Sequence, residues 1–388
     1  MTIVKRTPPP LADVAPFAPP PFEGQRLANG LTLRASRFGK RPTAAVSIVF
    51  PGAGSAADPE GEEGIADLAA ESFLSGTRRL SSRELAETID DLAAVLDVSA
   101  GTDSAVARLF ILEKDLDEGL ALLAEILGTP SFPEDEVEKT KRRFHDTLVE
   151  QRSEPDFLAR ERLLDRLYPE HPYGRISPTE ASLARLSRDS VARFVEQRYD
   201  LSAATLVLSG AAGPERLLRA AERAFTGARA HPEARGYEPA APTRITGFSV
   251  HLVNRPGSVQ TNLLFARPAL KRTDADFPAA VVANQALGGG ASSRLFSVLR
   301  EERGLTYGAF SSLSPRRLSG HFGASIDTRT EVTHEAISGL LDLVRAFAEN
   351  GPTAEEHERA RRFLTGSFVL SRETPGSLVS DEILRLLH

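Results

Sequence analysis

One charged segment of this sequence occurs twice. Glu138-Lys139-Thr140-Lys141-Arg142-Arg143-Phe144 resembles Glu356-His357-Glu358-Arg359-Ala360-Arg361-Arg362-Phe363, and aligning Phe144 with Phe363 sets an offset of 219 residues. A second pair lies at nearly the same offset, Glu161 to Tyr168 (ERLLDRLY) and Ser380 to His388 (SDEILRLLH). One charged helix repeats easily by chance. Two matches at one offset, with similar elements between them, indicate a duplicated unit. The chain is then two similar halves, each burying its own hydrophobic face. The first half continues past Tyr168 through a helix around Ser187 to Tyr199, a strand at Ala203 to Ser209 and a helix from Pro214 to Phe225, whereas the second stops at His388. On this reading the second domain is truncated at its C-terminus by about 57 residues relative to a full repeat. One edge of that domain is then left uncovered and open to pairing with another chain.

The elements within each half mix helices with strands grouped in hairpins. Gln25 to Leu33 reads as a strand pair around an Asn29-Gly30 turn, and Ala44 to Phe50 as a compact apolar strand. Ser81-x-x-Glu84 is a capping box, with Leu85, Ile89, Leu92 and Leu96 on one stripe behind it. Ser104 to Leu112 is a strand. Asp115-x-x-Glu118 opens a helix with Leu116, Leu120, Leu123 and Leu127 along one face, closed by Gly128 and Pro130. Ser131-x-x-Glu134 starts a long polar helix that runs past Glu150. This grouping predicts an α+β fold of two similar tandem domains rather than a doubly wound sheet. The expected organisation is a Pro-rich arm over 1–23, a first domain over 24–226, an Ala/Pro/Gly-rich linker over 227–247 and a second domain over 248–388.

Composition narrows the function classes. The chain has 388 residues, 41% hydrophobic and 26% charged, with net charge −6, which argues against a nucleic-acid partner. No apolar run approaches the ~20 residues of a membrane span. The N-terminus has no apolar core like that of a signal peptide, so a cytoplasmic location is expected, or periplasmic if a leader was removed. There is no Cys, which excludes disulfides, thiolate metal sites and a Cys nucleophile. No two of the eight His are spaced i,i+4, so no local two-histidine metal helix exists.

The richest stretch is Asn284 to Phe310 (NQALGGGASSRLFSVLREERGLTYGAF). Gly288-Gly289-Gly290 can take backbone angles closed to other residues and allows another chain to approach closely. Ser292 is the expected cap of a helix that buries Leu295, Phe296 and Leu299 and ends at Gly304, after which Tyr307 opens a strand. Arg300 and Tyr307, seven apart across a helix end and a turn, are placed to face one cleft. An Arg holds a peptide carbonyl or carboxylate with two hydrogen bonds, and a Tyr hydroxyl donates to an oxyanion. A lone helix Arg is more commonly a solvated side chain, and a Tyr after a turn a half-buried strand residue.

These segments, in order and spacing, resemble the M16 family of zinc metallopeptidases, the pitrilysin and mitochondrial-processing-peptidase clan, and most of all its small bacterial type. The resemblance runs from about residue 24 to the end. It is carried by Leu27 to Leu31 (LANGL), Gly64-Ile65-Ala66…Gly76-Thr77, Phe132 to Arg143, His171-Pro172-Tyr173-Gly174, and Ser292-Ser293-Arg294-Leu295-Phe296…Leu299-Arg300-Glu301…Gly304-Leu305-Thr306-Tyr307. It implies two α+β domains forming half of a clam-shell chamber around a peptide. It also implies that Arg300 and Tyr307 match the family's paired substrate-binding residues.

The family's inverted zinc motif, His-x-x-Glu-His, falls on Asp67, Ala70 and Glu71, and its third ligand falls near Thr147, with Asp146 adjacent. Both His ligands and the Glu base are missing, so no metal and no catalytic group is expected in this chain alone. Three readings stand side by side for Asp67 and Glu71: solvated helix residues, partners for an Arg of another chain, or oxygen ligands to a hard cation. Heterodimeric members divide the work between a subunit with the zinc motif and one with the Arg/Tyr pair. The resemblance therefore implies a non-catalytic, substrate-binding subunit whose homologous partner carries zinc, with Gly288–Gly290 helping to grip the peptide. The alternative is a zinc-free scaffold or peptide-binding escort with no role in proteolysis.

Overall fold

The Asn29-Gly30 turn starts the first sheet. Gly30 takes φ +93°, Asn29 Oδ1 accepts the Leu31 amide at 3.2 Å, and Asn29 Nδ2 donates to the Phe225 carbonyl at 2.9 Å. The turn joins β1 (Glu23–Arg26) to β2 (Thr32–Arg37) as an antiparallel pair. In the computed structural model the described residues are 17–228, 237 and 239–388. The expected arm therefore lies mostly outside them, as do 229–236 and 238 of the expected linker.

After β3 (Thr43–Pro51) come α1 (Ile65–Ser72), α2 (Ser82–Asp91), β4 (Val95–Ala100), β5 (Ser104–Leu112), α3 (Leu116–Gly128), α4 (Glu134–Ser153) and α5 (Pro155–Leu167). Then follow α6 (Glu180–Arg185), α7 (Arg188–Arg198), β6 (Thr205–Gly210) and α8 (Pro214–Phe225). The six strands are ordered β1-β2-β6-β3-β5-β4, with only β2 and β6 parallel. Helices cover one face, and Leu33, Ile48, Phe50, Leu68, Phe73, Leu109, Leu120, Leu206 and Leu208 form its core. The Ser81 capping box forms as expected, with Ser81 and Glu84 each bonding the other's backbone amide.

Two local expectations are corrected. The stripe behind Ser81 does not reach Leu96, because Ala93 takes φ +47° and turns the chain out of α2, so Leu96 lies on β4. The long polar helix begins at Glu134 rather than under a Ser131 cap, because Phe132 takes φ +48° and Pro133 precedes the first turn. Its first turn instead carries Glu134, Asp135 and Glu136, which favour the positive end of the helix dipole.

The second half repeats this plan. It contains β7 (Gln260–Ala269), α9 (Phe277–Gly288), α10 (Arg294–Phe296), β8 (Thr306–Pro315), β9 (Gly320–Arg329), α11 (Thr333–Asn350), α12 (Ala354–Leu370) and α13 (Pro375–Leu387). Its strand order β7-β9-β8 matches β3-β5-β4. Thr43 faces Leu112 in the first sheet and Gln260 faces Arg329 in the second, so both strands repeat at an offset of 217 with the same register. The helix pairs α4/α12 and α5/α13 repeat at an offset of 220. The duplication is therefore a property of the fold as well as of the charged segments.

The halves are joined by exchanging equivalent helices. The outer face of the first sheet is covered by α13, whose Val379 and Ile383 pack on Ala45, Val49, Val106 and Val207. α5 in turn leans on β7, where Leu164, Leu167, Tyr168 and Tyr173 cluster with Ala266 and Leu318. Arg316 lies in this seam over the rings of Tyr168 (5.4 Å) and Tyr173 (4.7 Å) and donates to the Tyr173 carbonyl at 2.9 Å. The His171-Pro172-Tyr173-Gly174 segment thus serves the seam, with the Tyr173 hydroxyl donating to Asp103 at 2.7 Å.

Candidate functional site

α1 is the frame of the expected metal helix. Gly64, at φ +97°, turns the chain into it, and Asp58 caps it from a distance. Asp58 Oδ2 accepts the Gly64 amide at 2.7 Å and Oδ1 the Ala66 amide at 3.1 Å. Burial pushes the Asp58 carboxyl up to about 7 even against these two bonds, and the nearby Asp67 adds to the shift. Five of the eight helix residues are apolar and buried: Ile65, Ala66, Leu68, Ala69 and Ala70. They pack against α4, α7 and β4, so the helix is retained by packing whatever its polar positions hold.

Those polar positions do not fit zinc. Asp67 is half-buried, and burial alone pushes its carboxyl up to about 6; a cation beside it would act in the opposite sense. Ala70, where the resemblance leads one to expect a general base, is fully buried and has no acid-base group. Glu71 is engaged in an ion pair with Arg143 of α4. Thr147, one turn beyond Arg143 on the same helix, is exposed. Among the described residues, no group of three or more His, Cys, Asp or Glu is arranged to hold a metal ion. Glu71 is thus balanced by an arginine of its own chain, an arrangement none of the three sequence readings contained.

Asp58, Arg143 and Tyr199 were not legible as part of this centre. Tyr199 lies buried beneath α1, its ring 4.8 Å from Phe73 and 4.9 Å from Phe50, and its hydroxyl has no hydrogen-bond partner among the described residues. Burial, reinforced by the charge of Asp67, raises its phenol above the ordinary range. The available signal for Asp58 was an acid several residues ahead of a helix start. For Arg143 it was position one turn before Thr147.

The second cluster surrounds Arg300. Ser293, not Ser292, precedes α10, and its hydroxyl makes no capping bond. After three residues the helix widens into a π-turn over Ser297–Glu302, marked by the Arg303 amide bonding the Val298 carbonyl at 3.0 Å. The widened turn still buries Leu295, Phe296 and Leu299 as expected. Arg300 is exposed on it, with its guanidinium carbon 4.6 Å from the centre of the Phe296 ring. Gly304, at φ +60°, ends the turn.

Tyr307 follows at the start of β8, where the pairing with β9 slips between Thr306 and Ala309. The slip aims Tyr307 outward, and it is 85% exposed. Thr306 secures the bulge: its Oγ1 accepts the Gly308 amide at 3.0 Å and donates to the Asp327 carbonyl at 2.6 Å. Arg300 and Tyr307 thus flank one short turn, both facing solvent. Gly288, Gly289 and Gly290 have no left-handed φ, contrary to the sequence expectation. Gly288 is buried because α9 closes on β8: a Cβ there would stand 2.5 Å from the Ser311 amide nitrogen. The close approach is to the chain's own strand. Gly290 faces open space apart from the Gln285 side chain.

Comparison with known proteins agrees with both halves of this description. The family model described as insulinase, peptidase family M16, matches residues 35–177, and that described as the peptidase M16 inactive domain matches residues 185–364. The chain is 27% identical over 313 residues to an uncharacterized zinc protease of Streptomyces coelicolor, covering 79% of this chain and 68% of the relative. It is 25% identical over 338 residues to the non-peptidase homologue YmxG of Helicobacter pylori, covering 87% and 77%. A crystal structure of a peptidase M16 inactive domain from Pseudomonas fluorescens superposes with TM-score 0.82 at 29% identity, over 89% of this chain and 84% of that one. The fold is also that of a protease from Helicobacter pylori, with TM-score 0.87 at 19% identity over 93% and 88%. With two M16 models in tandem and the repeated α+β plan, the chain belongs to the M16 peptidase family.

Proposed function

We propose that this chain is the substrate-binding subunit of a heterodimeric M16 zinc peptidase and completes the peptide chamber of a homologous subunit that carries zinc. The observation that carries the reading is the contrast between two sites. α1 keeps its packing but holds no ligand set, while Arg300 and Tyr307 stay exposed on a π-turn and a bulge. Such irregularities cost regular hydrogen bonding and tend to persist where a side chain must be aimed. In the assembled chamber Arg300 anchors the substrate backbone or carboxylate, and Tyr307 donates to the scissile carbonyl as it becomes an oxyanion. A donor of that kind contributes on the order of 3 kcal/mol to the transition state. The partner supplies zinc, water and the Glu base. Gly290 leaves room beside the turn for an extended peptide, while Gly288 serves the packing of α9.

Co-purification from the native source, followed by a peptidase assay with and without a zinc chelator, tests this. The expected result is a complex of two M16 chains whose activity the chelator abolishes, and a separated chain with neither zinc nor activity. A chain that always purifies alone, with no zinc-bearing homologue, would remove the reading.

A further inference from the structure

Six of the eight residues of α1 are buried, and the other two, Asp67 and Glu71, stand one turn apart on the strip that reaches solvent. Their surroundings differ. Glu71 is neutralised by Arg143 of α4. Asp67 has no hydrogen bond or ion pair among the described residues, and no cation of the chain lies close enough to offset the burial of its carboxyl. The unbalanced charge on the strip is therefore that of Asp67. Asp58, at the start of the helix, adds negative charge nearby, and the arginine that lessens it, Arg175, is held by Glu63 at 3.3 Å. Beneath the strip lies Tyr199, 4% exposed, with its ring fixed between Phe50 at 4.9 Å and Phe73 at 4.8 Å. Its hydroxyl has no partner among the described residues and is close enough to feel the charge of Asp67.

We propose that Asp67, backed by Tyr199, is a recognition site for the cationic end of an arginine or lysine side chain in a bound peptide. Two unpartnered polar groups beside each other are costly to a fold, because each gives up water without gaining a bond. A cation arriving from the solvent side satisfies both. It holds the Asp67 carboxyl ionised, at a place where partial burial strengthens the attraction. The Tyr199 hydroxyl, kept neutral by burial, then supplies a donor on the inner side of the carboxylate. A long basic side chain suits a half-buried carboxylate, since its apolar stem lies along the strip while the charged end reaches in. A hard metal ion fits poorly: it takes about six oxygen ligands, and the site has one carboxylate and a neutral phenol. The site belongs to the first half of the chain, whereas Arg300 and Tyr307 belong to the second. It rests on the reading that this chain binds peptide, and it adds which peptides are preferred.

The test equilibrates the chain alone with a random decapeptide library, acetylated and amidated so that only side chains carry charge, and sequences the retained peptides by mass spectrometry. Peptides held by the wild type carry Arg or Lys at one position at least threefold more often than the input. Asp67→Asn returns that frequency to the input level. Tyr199→Phe keeps the ring between Phe50 and Phe73 and lowers the enrichment without abolishing it. A retained peptide whose arginine is replaced by citrulline, neutral and of the same shape, binds the wild type at least tenfold more weakly, and the same replacement leaves its binding to Asp67→Asn unchanged. Both variants melt no lower than wild type, because each removes an unpartnered polar group. Peptides retained with no basic preference, or a citrulline effect equal in wild type and Asp67→Asn, would overturn this proposal and leave peptide binding standing. A chain that retains no peptide would overturn both this proposal and the substrate-binding reading on which it rests.

Discussion

Arg34 of β2 and Glu382 of α13, 348 positions apart, form an ion pair across the seam between the two halves. Glu382 is 6% exposed and also receives the Arg385 guanidinium at 2.7 Å. Burial alone would raise its carboxyl, but Arg385 and Arg34 together hold it below the usual carboxylate range. The pair fixes the end of the second half onto the first sheet, beside Val379 and Ile383.

Replacing Glu382 by Ala leaves Arg34 against the seam without its partner. The expected loss is about 2 kcal/mol in urea unfolding, less than for a fully buried pair because Arg34 keeps some contact with water. The folded pKa is depressed, so the contribution is present above the unfolded value and fades as pH falls through the folded one. The gap between wild type and Glu382→Ala should therefore narrow below about pH 4. A gap unchanged between pH 7 and pH 3 would contradict the assignment.

Gly288 and Gly290 separate packing from ligand contact. Gly288→Ala drives a methyl against the Ser311 backbone and should cost about 2–3 kcal/mol. Gly290→Ala meets only the Gln285 side chain, which can shift, and should stay within about 0.5 kcal/mol. Differential scanning calorimetry of both variants decides. Equal melting temperatures would mean that α9 does not close on β8 as described.

Asp58 predicts a pH dependence of the opposite sign. Its folded pKa is raised, so its contribution is greatest below the unfolded carboxylate value and is lost as pH rises through about 7. Asp58→Asn keeps an oxygen able to cap α1 and removes the titration. Between pH 5 and pH 8 wild type should lose stability relative to Asp58→Asn, as followed by urea midpoints at each pH. Parallel pH profiles would show that Asp58 is ionised throughout.

Local signals carried much of the fold. Strand Ser104–Leu112 and helix Pro214–Phe225 fall where alternation and the Pro start place them. The repeat was legible because charged α4 and α12 share their surface pattern. Where reading failed, a single backbone angle decided: Ala93 breaks a leucine spacing that continues smoothly into β4, and Phe132 with Pro133 delays a helix past its apparent Ser131 cap. The π-turn under Arg300 has no sequence mark that α-helical periodicity would not also give. The exchange of α5 and α13 depends on how two copies seat on each other, which neither copy encodes locally. In the candidate site, the sequence alone shows that Asp67, Ala70 and Glu71 are not a His-x-x-Glu-His set. The Glu71–Arg143 pair could not be read from it, since its partner lies 72 residues away and its geometry depends on how α1 meets α4.

In the proposed function this chain contributes Tyr307 to chemistry performed on a partner's zinc. The most direct measurement is steady-state peptide cleavage by a mixture of this chain with its zinc-bearing homologue, comparing wild type with Tyr307→Phe. Cleavage is expected only when both chains are present, with a kcat lowered one to three orders of magnitude by Tyr307→Phe and the complex still formed. Full activity of the Tyr307→Phe mixture, or cleavage by the partner undiminished when this chain is left out, would contradict it.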